Sequence, residues 1–153
     1  MRLFLSLDKL TLLFIGGDGM PINRKELKPL SALGKTASLA LVGVWQNELS
    51  SEMTITSFDG TTFSGSYTSS VSSGSGSVTG SLLGYVSGDA ISFIVNWAPT
   101  YSSVTAWSGV LLGNGEDGVF MYTLWQMAST PEEQQNYWES IQAGADLFWQ
   151  QSS

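Results

Sequence analysis

The chain of 153 residues contains no histidine and no cysteine. Without a thiol there is no disulfide, no thiolate nucleophile and no sulfur ligand for a metal. Without imidazole, the commonest proton carrier near neutral pH and the commonest metal ligand are missing as well. Cations are confined to one end: Arg2, Lys9, Arg24, Lys25, Lys28 and Lys35 all precede Thr36. The first 35 residues carry six cations against three carboxylates, or +3; the rest carries ten carboxylates and no cation, or −10, which together give the −7 of the whole chain. A body without cations cannot neutralise phosphates, which argues against nucleic acid as a partner. Nor can it form an internal salt bridge, so a buried carboxylate there must rest on hydrogen bonds or hold its proton more tightly than usual. No run approaches the roughly 20 apolar residues of a spanning helix.

Catalysis finds few tools in this inventory. Serine hydrolysis needs a base, and the body has neither histidine nor lysine. Glycoside hydrolysis needs two carboxylates across a cleft, and Asp146 alone has a good claim to an inner face. The chain is therefore expected not to be an enzyme, with no catalytic residue and no metal ligand set.

The N-terminal stretch differs from the body. MRLFLSL begins like a signal peptide, but Asp8 and Lys9 interrupt it, and LTLLFI is shorter than the usual apolar region of ~7–15 residues. Met20 offers an alternative start. Residues 1–36 are expected to be a targeting remnant, a misassigned start or a flexible arm, and residues 37–153 the folded domain.

What the body does contain is tryptophan, six in all, set mostly in strand-like runs beside small hydroxyl residues: GVWQNELSS, IVNWAP, SVTAWSG, YTLWQM. Flat apolar walls beside short hydrogen-bonding arms suit the holding of a neutral polar ligand. From Leu41 onward, short strands alternate with Gly, Ser and Asp. LVGVWQNEL, EMTIT, TTFSGSYTS, VTGSLLGYV, AISFIVNW, SVTAWSGVLL, VFMYTLWQM and IQAGADLFW read as strands, with Asp59-Gly60 as a hairpin turn and GNGEDG as another. SSGSGS reads as a flexible loop, and TPEEQQNYW as a helical turn with Thr130 as N-cap and Pro131 at its first position. Eight strands in series with short links predict an all-β fold, an eight-stranded antiparallel up-and-down β-barrel; a β-sandwich is the competing arrangement.

Alternate residues of a strand share a face. That groups Trp45, Asn47 and Leu49; Phe63, Tyr67 and Ser69; Ile91, Phe93, Val95 and Trp97; Ser103, Thr105 and Trp107; and Val119, Met121, Thr123, Trp125 and Met127. Each set mixes aromatics with hydroxyls or amides, whereas a purely structural core is more uniformly aliphatic. An eight-stranded barrel has an interior just large enough for one small ligand. The opposite faces carry Phe120, Tyr122 and Leu124, with Val110 and Leu112 from the preceding strand. In a single-layer barrel that outer face is buried only against another subunit, so an oligomer is expected.

These residues resemble the avidin/streptavidin family of biotin-binding proteins, the bacterial streptavidin-like members most. The similarity runs from about Val42 to Phe148 and rests on GVWQNELSS, SGSYTSSV, FIVNW, SVTAWSG, TLW, the isolated Trp138 and AGADLF, in family order. The resemblance implies a streptavidin-like barrel that binds biotin, as ligand and not as prosthetic group, tightly and without catalysis. By position, Asn47, Ser51 and Tyr67 would donate to the ureido oxygen, and Ser69 and Asp146 would accept from the ureido N–H groups. Thr105 would approach the thiophane sulfur. Ser103 would bind the valerate carboxylate, helped by backbone N–H groups near Val71 and Ser72. Trp97, Trp107 and Trp125 would wall the rings, with Met127 on the same face. Trp138 would cover the ligand of a neighbouring subunit in a homotetramer. The resemblance also implies a secreted or periplasmic protein.

Three features depart from the pattern. Ser72 replaces a glycine, the SSGSGS segment differs in length, and Glu48 adds a carboxylate beside Asn47. Strand parity puts Glu48 outside, in contact with solvent. The absence of cysteine, with Trp138, argues against the disulfide-bearing dimeric members. The alternative function is a carbohydrate-binding, lectin-like module, whose signature would be exposed, coplanar tryptophans.

Overall fold

The structure, a computed structural model, describes residues 27–35, 41–70, 76–114, 118–131, 138 and 140–151. Strands form wherever the sequence alternates apolar and polar residues. They are β2 (Gly43–Asn47), β3 (Glu52–Phe58), β4 (Thr62–Ser69), β5 (Val78–Ser87), β6 (Ala90–Asn96), β7 (Ser103–Gly113), β8 (Val119–Ser129) and β9 (Ile141–Gln150). A two-residue strand, β1 (Lys28–Pro29), precedes them. Each of β2 to β9 pairs antiparallel with its sequence neighbours, and β9 pairs back onto β2. The result is the closed eight-stranded barrel that the spacing predicts, and closure leaves no sheet edge exposed.

Burial follows the parity of the sequence. β5 and β6 alternate buried and exposed residues along their whole length. The inward set includes Trp45, Met53, Phe63, Val95, Met121 and Phe148. Close strand approach is set by small residues. A Cβ on Gly109 would lie 1.9 Å from the Tyr122 carbonyl oxygen of the facing strand. The hairpin at Asp59 is held by its carboxylate, which accepts from the amides of Thr62 and Thr61 at 2.6 and 2.9 Å. Those two bonds keep its pKa below the ordinary value.

Because the strands run up and down, the turns 48–51 and 97–102 fall at one end of the barrel, together with the last residues of β4 and β8. The other end is the base. There Lys28 and Pro29 pair with Gly113 and Leu112 of β7. The 3-10 turn Leu30–Leu33 follows, ending in Gly34 at φ 69°. Leu30 is 1% exposed and joins the core. The Ser31 amide donates to Asp89 at 3.0 Å, and its hydroxyl donates to the other carboxylate oxygen. Gly113 permits this docking, since a Cβ there would sit 2.7 Å from Leu33 Cδ1. Alternation does not reveal this docking, because the leucines of residues 28–33 are too few for a periodic pattern and the segment's partners lie on β7 and at the β5–β6 turn.

One local expectation changes. Leu49 is grouped by parity with Trp45 and Asn47, but β2 ends at Asn47, and Leu49 turns out to be 53% exposed. Thr130 uses its hydroxyl to donate to the Ser102 carbonyl at 3.2 Å. The rest of the expected helical turn lies outside the described residues, as do most of SSGSGS and the centre of GNGEDG.

Candidate functional site

Five strands bring polar groups to one point inside the barrel, toward the end that carries 48–51. Asn47 is the last residue of β2, Tyr67 stands on β4, Thr105 and Trp107 on β7, Trp125 on β8 and Asp146 on β9. Ser51 comes from the turn after β2. Asn47, Ser51, Tyr67, Thr105 and Asp146 are all buried. The turn shapes the first part: the Asn47 side-chain carbonyl accepts from the amides of Ser51 at 2.9 Å and Leu49 at 3.1 Å. That fixes the amide and leaves its Nδ2 to donate to the Tyr67 hydroxyl at 3.3 Å. Ser51 also hydrogen-bonds that hydroxyl, and its own Oγ accepts from the Ser70 amide at 3.2 Å.

Asp146 is the second focus. Trp107 Nε1 donates to it at 2.8 Å, and Asn47 and Trp125 are further hydrogen-bonding partners. Its backbone carbonyl accepts from Thr123 Oγ1 at 3.3 Å. Burial pushes its carboxyl up to about 6, and the charge of Glu48 adds to this; the bonds from Trp107, Asn47 and Trp125 pull the other way. Burial, and then the Asp146 charge, push the Tyr67 hydroxyl above its ordinary range, so it stays protonated. The site therefore pairs a fixed donor cluster with one buried acceptor that binds a proton readily.

The walls are aromatic. Trp107 stacks between Phe93 (5.0 Å, 12°) and Tyr67 (5.1 Å, 27°). Trp97 meets Tyr67 edge-on at 5.7 Å and donates to Thr105 Oγ1 at 2.9 Å. Phe148 closes the floor against Tyr67 and Phe93. Trp125 packs half-buried against this core. Parity groups Phe93 with Val95 and Trp97, but its contact with Trp107, and those of Phe148 with Tyr67 and Phe93, depend on which strands become neighbours.

Eight of the predicted site residues are thus assembled: Asn47, Ser51, Tyr67, Trp97, Thr105, Trp107, Trp125 and Asp146. Ser69 ends β4 half-buried, and Met127 lies half-buried opposite Thr105. Ser103 begins β7, with its carbonyl accepting from the Trp97 amide. It also lines a groove of about 430 Å³ with the exposed Asn96, Tyr101, Ser102, Ala128 and Thr130. Trp138 is 53% exposed. Val71 and Ser72 lie outside the described residues. Trp45 is fully buried, its indole donating to the Leu41 carbonyl at 3.0 Å.

Glu48 is a correction. Parity places it in solvent, but the turn after Asn47 redirects it. It is half-buried, and its carboxylate accepts from the Leu147 amide at 3.0 Å. The carbohydrate alternative also loses its basis, because Trp97 and Trp107 are 6% and 4% exposed and cannot serve as open platforms.

The Avidin family model matches residues 35–151 of the chain. Among solved structures, that of xenavidin is 30% identical, with a TM-score of 0.65, and the match covers 74% of this chain and 98% of that one. A biotin binding protein from chicken is 25% identical with a TM-score of 0.66, covering 76% and 100%. AVR2, at 24% identity and a TM-score of 0.67 over 75% and 98%, is similar in fold. No curated protein matches significantly.

Proposed function

Because the chain belongs to the avidin family, we propose that it binds biotin inside the barrel, tightly, non-covalently and without turning it over. The observation that carries this reading is the convergence of Asn47, Ser51, Tyr67 and Asp146 on one buried point walled by Trp97 and Trp107. A cyclic urea offers one strong acceptor oxygen between two N–H donors. Asn47, Ser51 and Tyr67 supply donors for the oxygen, and Asp146 and Ser69 supply acceptors for the N–H groups. Aligned donors draw charge onto the oxygen, as an oxyanion hole does, and the linked bonds polarise one another. The groups are already positioned, so little ordering is needed on binding. A ligand lacking the urea would leave buried polar atoms unsatisfied, at a cost of about 1–3 kcal/mol each.

Thr105, held by the Trp97 indole, would approach the thiophane sulfur. Ser103, with the backbone around Val71 and Ser72, would meet the carboxylate tail. Trp125 and Met127 complete the wall. The exposed Trp138 would cover the ligand of an adjoining subunit. The outer face of β7 and β8, with exposed Val104, Val110 and Leu124, supports a homotetramer.

Calorimetric titration with biotin tests the reading, with thermal melting at excess ligand and sizing by light scattering. We expect saturable heat at one site per chain, a raised melting temperature and unaltered biotin recovered on denaturation. Absence of both heat and thermal stabilisation would sink the reading; simple sugars should give neither.

A further inference from the structure

β2 stops at Asn47, whose partner on β9 is Phe148. One residue further, the chain opposite Leu147 has already turned away, and the strand ladder has no carbonyl to offer the Leu147 amide. The Glu48 carboxylate takes that place, accepting from Leu147 N–H at 3.0 Å. Leu147 is 1% exposed, and its preceding residue is Asp146, 5% exposed. One half-buried carboxylate thus anchors the backbone that carries another.

We propose that Glu48 is a positioning residue of the binding site: it fixes the β9 backbone at Asp146 and makes ligand capture weaken in acid. The first half follows from the hydrogen bond and the register. The second follows from the two like charges placed together. The groups facing Asp146 are Asn47 and Glu48 from β2 and its turn, Tyr67 from β4, Trp107 from β7, and Thr123 and Trp125 from β8. Apart from Glu48, these are neutral. The described cations, Lys28 and Lys35, belong to the segment at the base. No described cation therefore offsets the mutual repulsion of the carboxylates, and the Glu48 charge raises the affinity of Asp146 for a proton alongside burial, against the lowering bonds from Trp107, Asn47 and Trp125. An N–H donor binds the ionised carboxylate, so protonation competes with the ligand.

This inference rests on the proposed urea-binding role of Asp146, but its test has an arm that needs no ligand. In the ligand-free protein, the ¹³C signal of the Asp146 carboxyl and the ¹H–¹⁵N signal of the Trp107 indole should titrate together near pH 6. Glu48→Gln keeps an acceptor for Leu147 but removes the charge, and it should move that midpoint to a pH lower by ~0.5 or more. In the binding arm, wild-type affinity for biotin should fall ~10-fold between pH 7.5 and pH 5, as the ionised fraction falls. E48Q should fall less than ~5-fold over the same range. Glu48→Ala should lose affinity even at pH 7.5 and speed exchange of the Leu147 amide. An unchanged Asp146 midpoint in E48Q would overturn the charge coupling. Equal affinities of E48A and wild type at pH 7.5 would overturn the positioning role. Absence of biotin binding in every variant would overturn the functional reading, with the ligand-free titration still deciding the coupling of the two carboxylates.

Discussion

Removing the charge of Asp146 should stabilise the empty protein while damaging its binding. Its carboxyl is pushed up from 3.8 to about 6 in the fold. The difference corresponds to roughly 3 kcal/mol of free energy, at about 1.4 kcal/mol per pKa unit. The folded state holds the proton more tightly than the unfolded chain, so between these two pH values folding takes up protons. Stability therefore falls as the pH rises through this window, and the full cost of the buried charge is present above about 6. Asp146→Asn abolishes the charge but keeps one oxygen that can accept from the Trp107 indole. Its new N–H₂ group meets existing donors, which offsets part of the gain. Ligand-free D146N should therefore be about 1–3 kcal/mol more stable than wild type at pH 7.5, with the difference shrinking toward pH 4. Guanidinium unfolding at matched protein concentration, followed by circular dichroism at both pH values, measures this. A variant less stable than wild type at pH 7.5, or a difference that does not depend on pH, would refute the reasoning. Biotin affinity should move the other way, weakening by at least ~100-fold, since an acceptor of the ureido N–H is lost and an N–H₂ group opposes it.

Tyr67→Phe deletes one donor but keeps the stack on Trp107; biotin affinity in a competition assay should fall ~10–100-fold with little change in melting temperature. Gly109→Ala would place a methyl 1.9 Å from the Tyr122 carbonyl oxygen and 2.7 Å from Thr123 Cα. It should part β7 from β8 and cost more than ~3 kcal/mol, seen as lost soluble yield or a melting temperature lowered by tens of degrees; a melt matching wild type would contradict the packing. Leu30→Ala empties a side chain that is 1% exposed at the base and should cost about 2–4 kcal/mol in chemical unfolding. If biotin affinity dropped in proportion, the separation of base and site would be wrong.

Much of the barrel was legible because its signal is local. A strand exposes alternate residues to opposite sides, so period-two runs such as VTGSLLGYV and AISFIVNW declare both the strand and its inner face. The turn residues between them set the order of pairing. Asn47, Tyr67, Trp97, Thr105, Trp107 and Trp125 could be grouped by face in advance for the same reason, whereas Ser51 and the binding role of Asp146 were implied by the family resemblance. Parity failed where strands end. Leu49 and Glu48 follow Asn47 in sequence, but a turn stabilised by the Asn47 side chain rotates them off the strand's alternation. Residues 28–33 were equally opaque, because Leu30 finds its partners only once β7 and the β5–β6 turn are in place.

The sequence by itself determined the strand count, the inward aromatic and polar residues, and the absence of histidine, cysteine and any cation beyond Lys35. These are properties of composition and of near-neighbour periodicity. Only the tertiary structure decided that the Trp107 indole donates to Asp146, 39 positions away, at 2.8 Å, and that Glu48 reaches the amide of Leu147, 99 positions away. Burial and charge coupling depend on groups brought together by closure of the sheet, and local periodicity does not record distances across a barrel.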